Sequence, residues 1–254
     1  MKRLGNNHGG YHGGRIDIQH VCRAAAHAAR RHGWQVAAIQ FDGGGELLTF
    51  ERRTPAGRRN FYLSTGIHGD EPAGPLAMQR LLEENRWPAD ANLFLCPCLN
   101  PTGFPHNRRE NFHGKDLNRD YKHFETAEAR AHVAWLARQP AFDLAFCLHE
   151  DWEANGFYLY ELNPDALPSL AQRMVDAVAR VCPVDFADVI EGRPARGGII
   201  HPSHDPASRP QWPEAFWLLQ HKTRLSYTLE APSDFPMATR VDALVAAVNA
   251  ALVS

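Results

Sequence analysis

Seven short apolar runs, WQVAAIQF, ELLTFERR, NFYLSTG, ANLFLCPCL, FDLAFCLHE, GFYLYEL and RLSYTLEAPS, alternate with stretches whose apolar residues recur every three or four positions. The runs have strand length and the periodic stretches have helix length, so strands joined through helices are expected. Helices are predicted over residues 16–31 with Gly33 as C-cap, over PLAMQRLLEEN after Pro72, over residues 126–138, over LPSLAQRMVDAVARVC and over ATRVDALVAAVNAALV. This alternation implies an α/β fold: a mixed, largely parallel sheet with helices on both faces. The first two runs flank the turn Asp42-Gly43-Gly44-Gly45 and should form a hairpin. The segment from Pro183 to Pro213, rich in Pro, Gly and His, is predicted to be a long irregular loop over a site. No internal repeat or linker interrupts the pattern. With 254 residues and 44% hydrophobic content, a single domain over residues 1–254 is expected, its first 15 residues a flexible Gly-rich arm.

Charge and cysteine usage exclude several functions. A formal net charge of −2 gives no footprint for nucleic acid or an anionic membrane surface. No run approaches the roughly 18 apolar residues a membrane span needs, and the first twenty residues contain no apolar leader core. Cys22, Cys96, Cys98, Cys147 and Cys182 are an odd set, three of them in apolar runs, and read as reduced core residues of a cytoplasmic protein. Cys96 and Cys98, two apart on a strand, should share a face, which leaves a soft-metal role as a weaker reading. His8 and His12 in the arm read as surface residues rather than metal ligands.

Ligands of such sheets bind outside the carboxyl ends of the strands, where His68, His149 and Glu230 all fall. Catalytic zinc takes three protein ligands and keeps one position open, and His68, Glu71 and His149 would supply a His-Glu-His set. His68 and Glu71, three apart at the start of a helix, lie on one side of the turn. In a chain with fourteen histidines this spacing alone also arises by chance. The block NPTGFPHNRRENFHGKDLNRDY adds Arg108, Arg109, Asn118 and Arg119, groups suited to holding a carboxylate, at another strand end.

Taken in order, GIHGDE, NPTGFPHNRRENFHGKDLNRDY, CLHED and SYTLEAPS resemble the zinc carboxypeptidase family over residues 60–235, most closely its compact bacterial members such as the murein peptide amidases. Aspartoacylase and succinylglutamate desuccinylase share H-x-x-E and D-L-N-R, but the longer R-x-N-x-x-G-x-D-L-N-R string favours the peptidases. The resemblance implies one zinc ion per chain on His68, Glu71 and His149, and Glu230 as general base and then acid. It implies Arg109 as the oxyanion's partner, with Arg108 as competitor, and Asn118 and Arg119 as the grip on the substrate's terminal carboxylate. Asp116 would hold the other ring nitrogen of His68. The implied substrate is a small or peptidoglycan-derived peptide. An N-acyl amino acid deacylase and a non-catalytic zinc or carboxylate binder are the alternatives, and retention of Glu230 with Arg109 argues against the binder.

Two features depart from the family pattern. Many members carry a tyrosine on a mobile loop before the catalytic glutamate, yet the stretch from Glu161 to Ser226 contains none; His201, His204, Arg209 and Trp212 stand in that loop instead. Glu150, Asp151 and Glu153 crowd acids beside His149, and read first as a solvated loop and second as selectors of a substrate amine.

Overall fold

The computed structural model describes residues 2–6 and 14–252, so His8 and His12 lie outside the described residues. In chain order the elements are α1 (Ile18–Arg31), β1 (Gln35–Phe41), β2 (Gly45–Arg52), β3 (Arg59–Thr65), α2 (Ala73–Glu84), β4 (Ala91–Cys96), α3 (Ala127–Ala137), β5 (Leu144–Asp151), β6 (Tyr158–Leu162), α4 (Ala171–Val178), β7 (Val189–Ile190), β8 (Arg193–Arg196), β9 (Ile199–Ile200), α5 (Glu214–His221), β10 (Ser226–Pro232) and α6 (Met237–Leu252). The strands form one sheet in the order β1-β2-β4-β3-β5-β10-β6-β9-β8-β7.

Period-two alternation sorts the sheet's side chains between two layers. Phe61, Leu63, Leu93, Leu95, Phe146, Leu148, Tyr227 and Leu229 pack on residues of α1, α2, α4 and α6. Tyr62, Phe94, Ala145 and Cys147 face the other way, on α3 and α5. Full burial of one Leu or Phe in such a layer is worth about 1.5–3 kcal/mol, which makes the central strands the rigid platform for whatever sits at their ends. Local chemistry sets the helix boundaries: the Asp17 carboxylate accepts from His20 N–H at the start of α1, and Thr126 accepts from Ala129 N–H at the start of α3.

Parallel pairing runs through the centre of the sheet and recurs only between β6 and β9. β4, β3, β5 and β10 pair in parallel, whereas the β1-β2, β2-β4, β10-β6, β9-β8 and β8-β7 pairs are antiparallel. Hairpin connections at both margins produce this, and hydrophobic period alone does not distinguish the two pairings. The predicted loop from Pro183 to Pro213 contains β7, β8 and β9, too short to leave a periodic signal, and these extend the sheet beyond β6. Helix α5, which carries no helical period long enough to predict it, is a short apolar stretch set off by Pro213.

Three further expectations are corrected. Residues 3–6 are held down, not loose: Leu4 N–H donates to the Asp234 carbonyl, and Arg3 Nε and Asn6 N–H both donate to the Asp234 carboxylate at 2.9 Å. Cys96 ends β4, and Cys98 lies beyond it in a separate cluster with Ile18 and Phe104, so the two thiols share no strand face. Glu150 is not in a solvated loop; it is buried, accepting from Arg240 Nη1 at 2.6 Å and Ser233 Oγ at 3.1 Å and from Ala73 N–H at the start of α2. No helix of the described residues is long and apolar enough to cross a membrane.

Candidate active site and metal centre

The strand β3 delivers the first pair of candidate ligands through a turn that only glycine accommodates at two points. Gly66 adopts φ +62°, and a Cβ on Gly69 would lie 2.4 Å from the Gly103 carbonyl carbon and 2.7 Å from the Arg108 oxygen. The loop following β4 therefore presses directly on the His68 turn. Asn100 fixes that loop, its Oδ1 accepting from Gly103 N–H at 2.8 Å and its Nδ2 donating to the Arg109 carbonyl at 3.2 Å. Asn111 pins the next turn to the buried Glu128 carboxylate.

His68, Glu71 and His149 converge. One donor atom from each lies within 4.8 Å of the others, and all three residues are buried. Nδ1 of His68 faces Glu71 Oε1 at 2.5 Å and Nδ1 of His149 lies 3.0 Å from Glu71 Oε2. His149 comes from the end of β5, and in the parallel register it sits directly beside Glu230 of β10.

The D-L-N-R block is a compact positioning device. Asp116 Oδ1 accepts from Asn118 N–H at 2.8 Å and caps the 3-10 turn Leu117–Arg119, whose Leu117 is buried as an anchor. That leaves Oδ1 3.3 Å from His68 Nε2 and Oδ2 accepting from Arg109 Nε at 2.9 Å. One carboxylate thus orients both the imidazole and the guanidinium. Asn118 Oδ1 accepts from Glu214 N–H at 2.9 Å, so its amide NH2 is the end left for a ligand.

Burial would raise the Glu71 carboxyl pKa, but His68 and His149 outweigh it and hold Glu71 well below the usual carboxylate range. Asp116, likewise opposed by burial, is held low by His68, Arg109 and Arg119. Glu230 goes the other way: burial, with Glu71 and Asp151 adding to it, pushes it well above the usual range. A carboxylate that holds a proton readily at the end of a strand is suited to proton transfer. Asp70, between the two candidate ligands, is pushed up to about 6 by burial and then by Glu71.

His68, Glu71, His149, Arg109, Asn118, Arg119 and Glu230 line one cavity of about 380 Å³. Arg108 does not line it; its guanidinium donates to the Asn111 carbonyl. Tyr158 and Tyr160 of β6, Arg193 of β8, and Arg209 also line the cavity. Sequence reasoning missed Arg193 and both tyrosines, which no local motif marks.

Residues 58–181 match the family profile of the succinylglutamate desuccinylase/aspartoacylase catalytic domain. No curated protein matches the chain significantly. A protein from Shewanella denitrificans OS217, provisionally designated a metallopeptidase, superposes with a TM-score of 0.79 at 25% identity, over 92% of this chain and 88% of its own. Another from Shewanella amazonensis SB2B, with the same provisional designation, gives 0.79 at 25% over 92% and 91%. A metallo-carboxypeptidase from Pseudomonas aeruginosa, solved with (2-guanidinoethylmercapto)succinic acid, shares the fold at 21% identity and a TM-score of 0.67, over 93% of this chain and 68% of its own. The chain is a hydrolytic enzyme, similar over residues 58–181 to the succinylglutamate desuccinylase and aspartoacylase catalytic domain and in fold to the metallopeptidases and metallo-carboxypeptidases above.

Proposed function

We propose that this chain is a zinc-dependent carboxypeptidase that hydrolyses the amide bond next to a free carboxylate in small peptides, peptidoglycan-derived peptides among them. One observation carries the reading: the His68–Glu71–His149 group, Glu230 and the Asn118–Arg119 pair line the same cavity. The three candidate ligands fit a divalent ion, because two neutral imidazoles and one carboxylate are a set used by catalytic zinc. The buried Glu71 Oε2 also lacks a hydrogen bond of good geometry, although both imidazoles crowd its carboxylate, and Asp116 beside His68 Nε2 leaves Nδ1 turned to the centre.

When bound, the ion supplies Lewis acidity towards a water and the scissile carbonyl. The remaining chemistry belongs to side chains. Arg119 and the Asn118 amide hold the substrate's terminal carboxylate, and so place the last amide bond over the centre of the cavity. Glu230 removes a proton from the attacking water and returns it to the leaving nitrogen, a transfer its raised proton affinity favours. Arg109, aimed by Asp116, places a fixed positive charge where negative charge grows on the carbonyl oxygen.

The profile match over residues 58–181 supports a second reading, an N-acyl amino acid deacylase, in which the same groups cut an acyl amide. Assay of C-terminally free peptides, their amidated forms and N-acyl amino acids, on parent and Glu230→Gln, separates the two. Turnover of the free peptides alone is expected, with a loss of about 10²–10⁴-fold in Glu230→Gln and zinc retained. Preference for N-acyl amino acids selects the second reading, and a zinc-loaded protein that cleaves none of them contradicts both.

A further inference from the structure

His149 and Glu150 are neighbours on β5, so their side chains leave opposite faces of the sheet. Glu150 turns with Leu148 to the layer packed on α2 and α6. Its carboxylate has no exposure there, and the Arg240 side chain that pairs with it is 3% exposed. A buried ion pair is a poor source of stability, because the cost of taking two charges out of water offsets their attraction; apolar residues of similar size often replace such pairs without loss.

The contacts of this pair point to a different role. Glu150 accepts from Ala73 N–H, two residues after Glu71, and from Ser233 Oγ at 3.1 Å, three residues after Glu230. It accepts from Arg240 Nη1 at 2.6 Å, on the first turn of the helix that follows β10. One carboxylate, next in the chain to His149, thus ties together the segments that carry Glu71, His149 and Glu230. At the start of α2 it replaces a missing local cap, since Pro72 offers no side-chain acceptor, and a negative charge suits that end of a helix. A Cβ on Gly74 would lie 3.3 Å from the Leu148 carbonyl oxygen, so α2 sits hard against the end of β5 at this point. On the other side Ser233 N–H donates to the Asp151 carbonyl at 2.9 Å, which carries the β5–β10 pairing one residue past Pro232.

We infer that Glu150 is a positioning residue for the active site: through Ala73 it sets Glu71 against His149, and through Ser233 it sets Glu230 beside them. Arg240 is the counter-charge that lets a carboxylate stand in that layer. The inference rests on the metal-centre and proton-transfer roles proposed above, and it holds for a peptide or an N-acyl substrate alike.

The test separates positioning from bulk stability, with zinc affinity read by chelator competition and stability by urea unfolding. A first double variant, Glu150→Leu with Arg240→Met, removes both charges and the acceptor for Ala73. A second, Glu150→Gln with Arg240→Met, removes both charges but keeps an oxygen for Ala73 N–H and an NH2 that Ser233 Oγ can accept. Both should unfold near the urea midpoint of the parent. The first is expected to bind zinc about tenfold to a hundredfold more weakly, the usual cost of loosening a ligand's support, and to shift the visible bands of the cobalt-loaded protein. The second should stay within about fivefold of the parent, what one net hydrogen bond is worth. Ser233→Ala, which leaves the ion pair in place, should lower kcat at saturating zinc by up to about tenfold, with KM and zinc affinity unchanged. Equal zinc affinity in the two double variants, or affinity that merely follows the urea midpoint, overturns the positioning role. Parent kcat in Ser233→Ala overturns the tie to Glu230, and decides the matter if the first double variant does not fold. A parent that takes up no zinc removes the metal-centre reading and this inference with it, whereas a parent and a first double variant that bind zinc alike remove the inference alone.

Discussion

Two buried polar clusters begin within six residues of each other, one at Tyr62 and Ser64 on β3, the other at His68 just beyond it. In the first, Tyr121 O–H donates to His132 Nδ1 at 2.7 Å, and Tyr62 and Ser64 donate to the two Glu214 oxygens at 2.6 and 2.9 Å. Because Tyr62 has already given its proton, it accepts from His132 Nε2–H at 2.9 Å, and every side-chain group is partnered. In the second, two imidazoles crowd one carboxylate through their Nδ1 atoms, and Glu71 Oε2 is left without a hydrogen bond of good geometry. The first is complete as protein. The second becomes complete only with something added, and that difference separates a structural network from a functional one. They touch at one point, Glu214 N–H to Asn118 Oδ1, through which the complete cluster braces the incomplete one.

The comparison can be broken by substitution. The largest effect is expected for Arg109→Met, about a 10²–10³-fold loss in kcat with zinc retained, the cost of removing a donor to the developing oxyanion; steady-state kinetics and metal analysis check it. Asp116→Asn should weaken metal binding or activity about tenfold to a hundredfold, by freeing the His68 ring, and competition with a chromogenic chelator measures it. Tyr62→Phe, which strips one donor from buried Glu214 and one acceptor from His132, should lower unfolding free energy by about 1–3 kcal/mol in urea while metal affinity stays constant. A change in metal affinity there would erase the distinction between the clusters.

The smallest effect is in pH dependence. Burial lowers the His132 pKa from the usual 6.5 of a free imidazole to about 3. Between those values the unfolded chain binds a proton that the folded one does not, so this group's contribution is present above pH 6.5 and is lost as pH falls towards 3. Urea unfolding across that window should therefore be shallower in pH for His132→Gln than for the parent, and parallel curves would count against a neutral buried imidazole.

The two clusters were not equally legible in the sequence. The ligand pair and the D-L-N-R turn are local motifs, so the family resemblance marks His68, Glu71 and Asp116, where spacing alone does not, and the same resemblance marks His149 and Glu230 at strand ends. The Tyr62 network joins residues 70 to 152 positions apart, and no motif records it. The same reason hides the Glu150–Arg240 pair, 90 positions apart, which turned an expected solvated acid into a buried one. Arg193 and Arg209 reach the cavity from strands and turns of two to four residues, too short for any period to announce. Helix α5 was lost because an eight-residue apolar run reads equally as strand or helix. The antiparallel margins of the sheet are set by connections, not by hydrophobic pattern.

The central claim is that the incomplete cluster is a metal centre. Protein stripped with a chelator and titrated with zinc should take up one equivalent per chain, and its unfolding free energy should rise by about 4 kcal/mol when free zinc is a thousandfold above the dissociation constant. His68→Ala and His149→Ala should lose both responses. A parent chain that takes up no zinc, or variants that take it up as the parent does, would contradict the account.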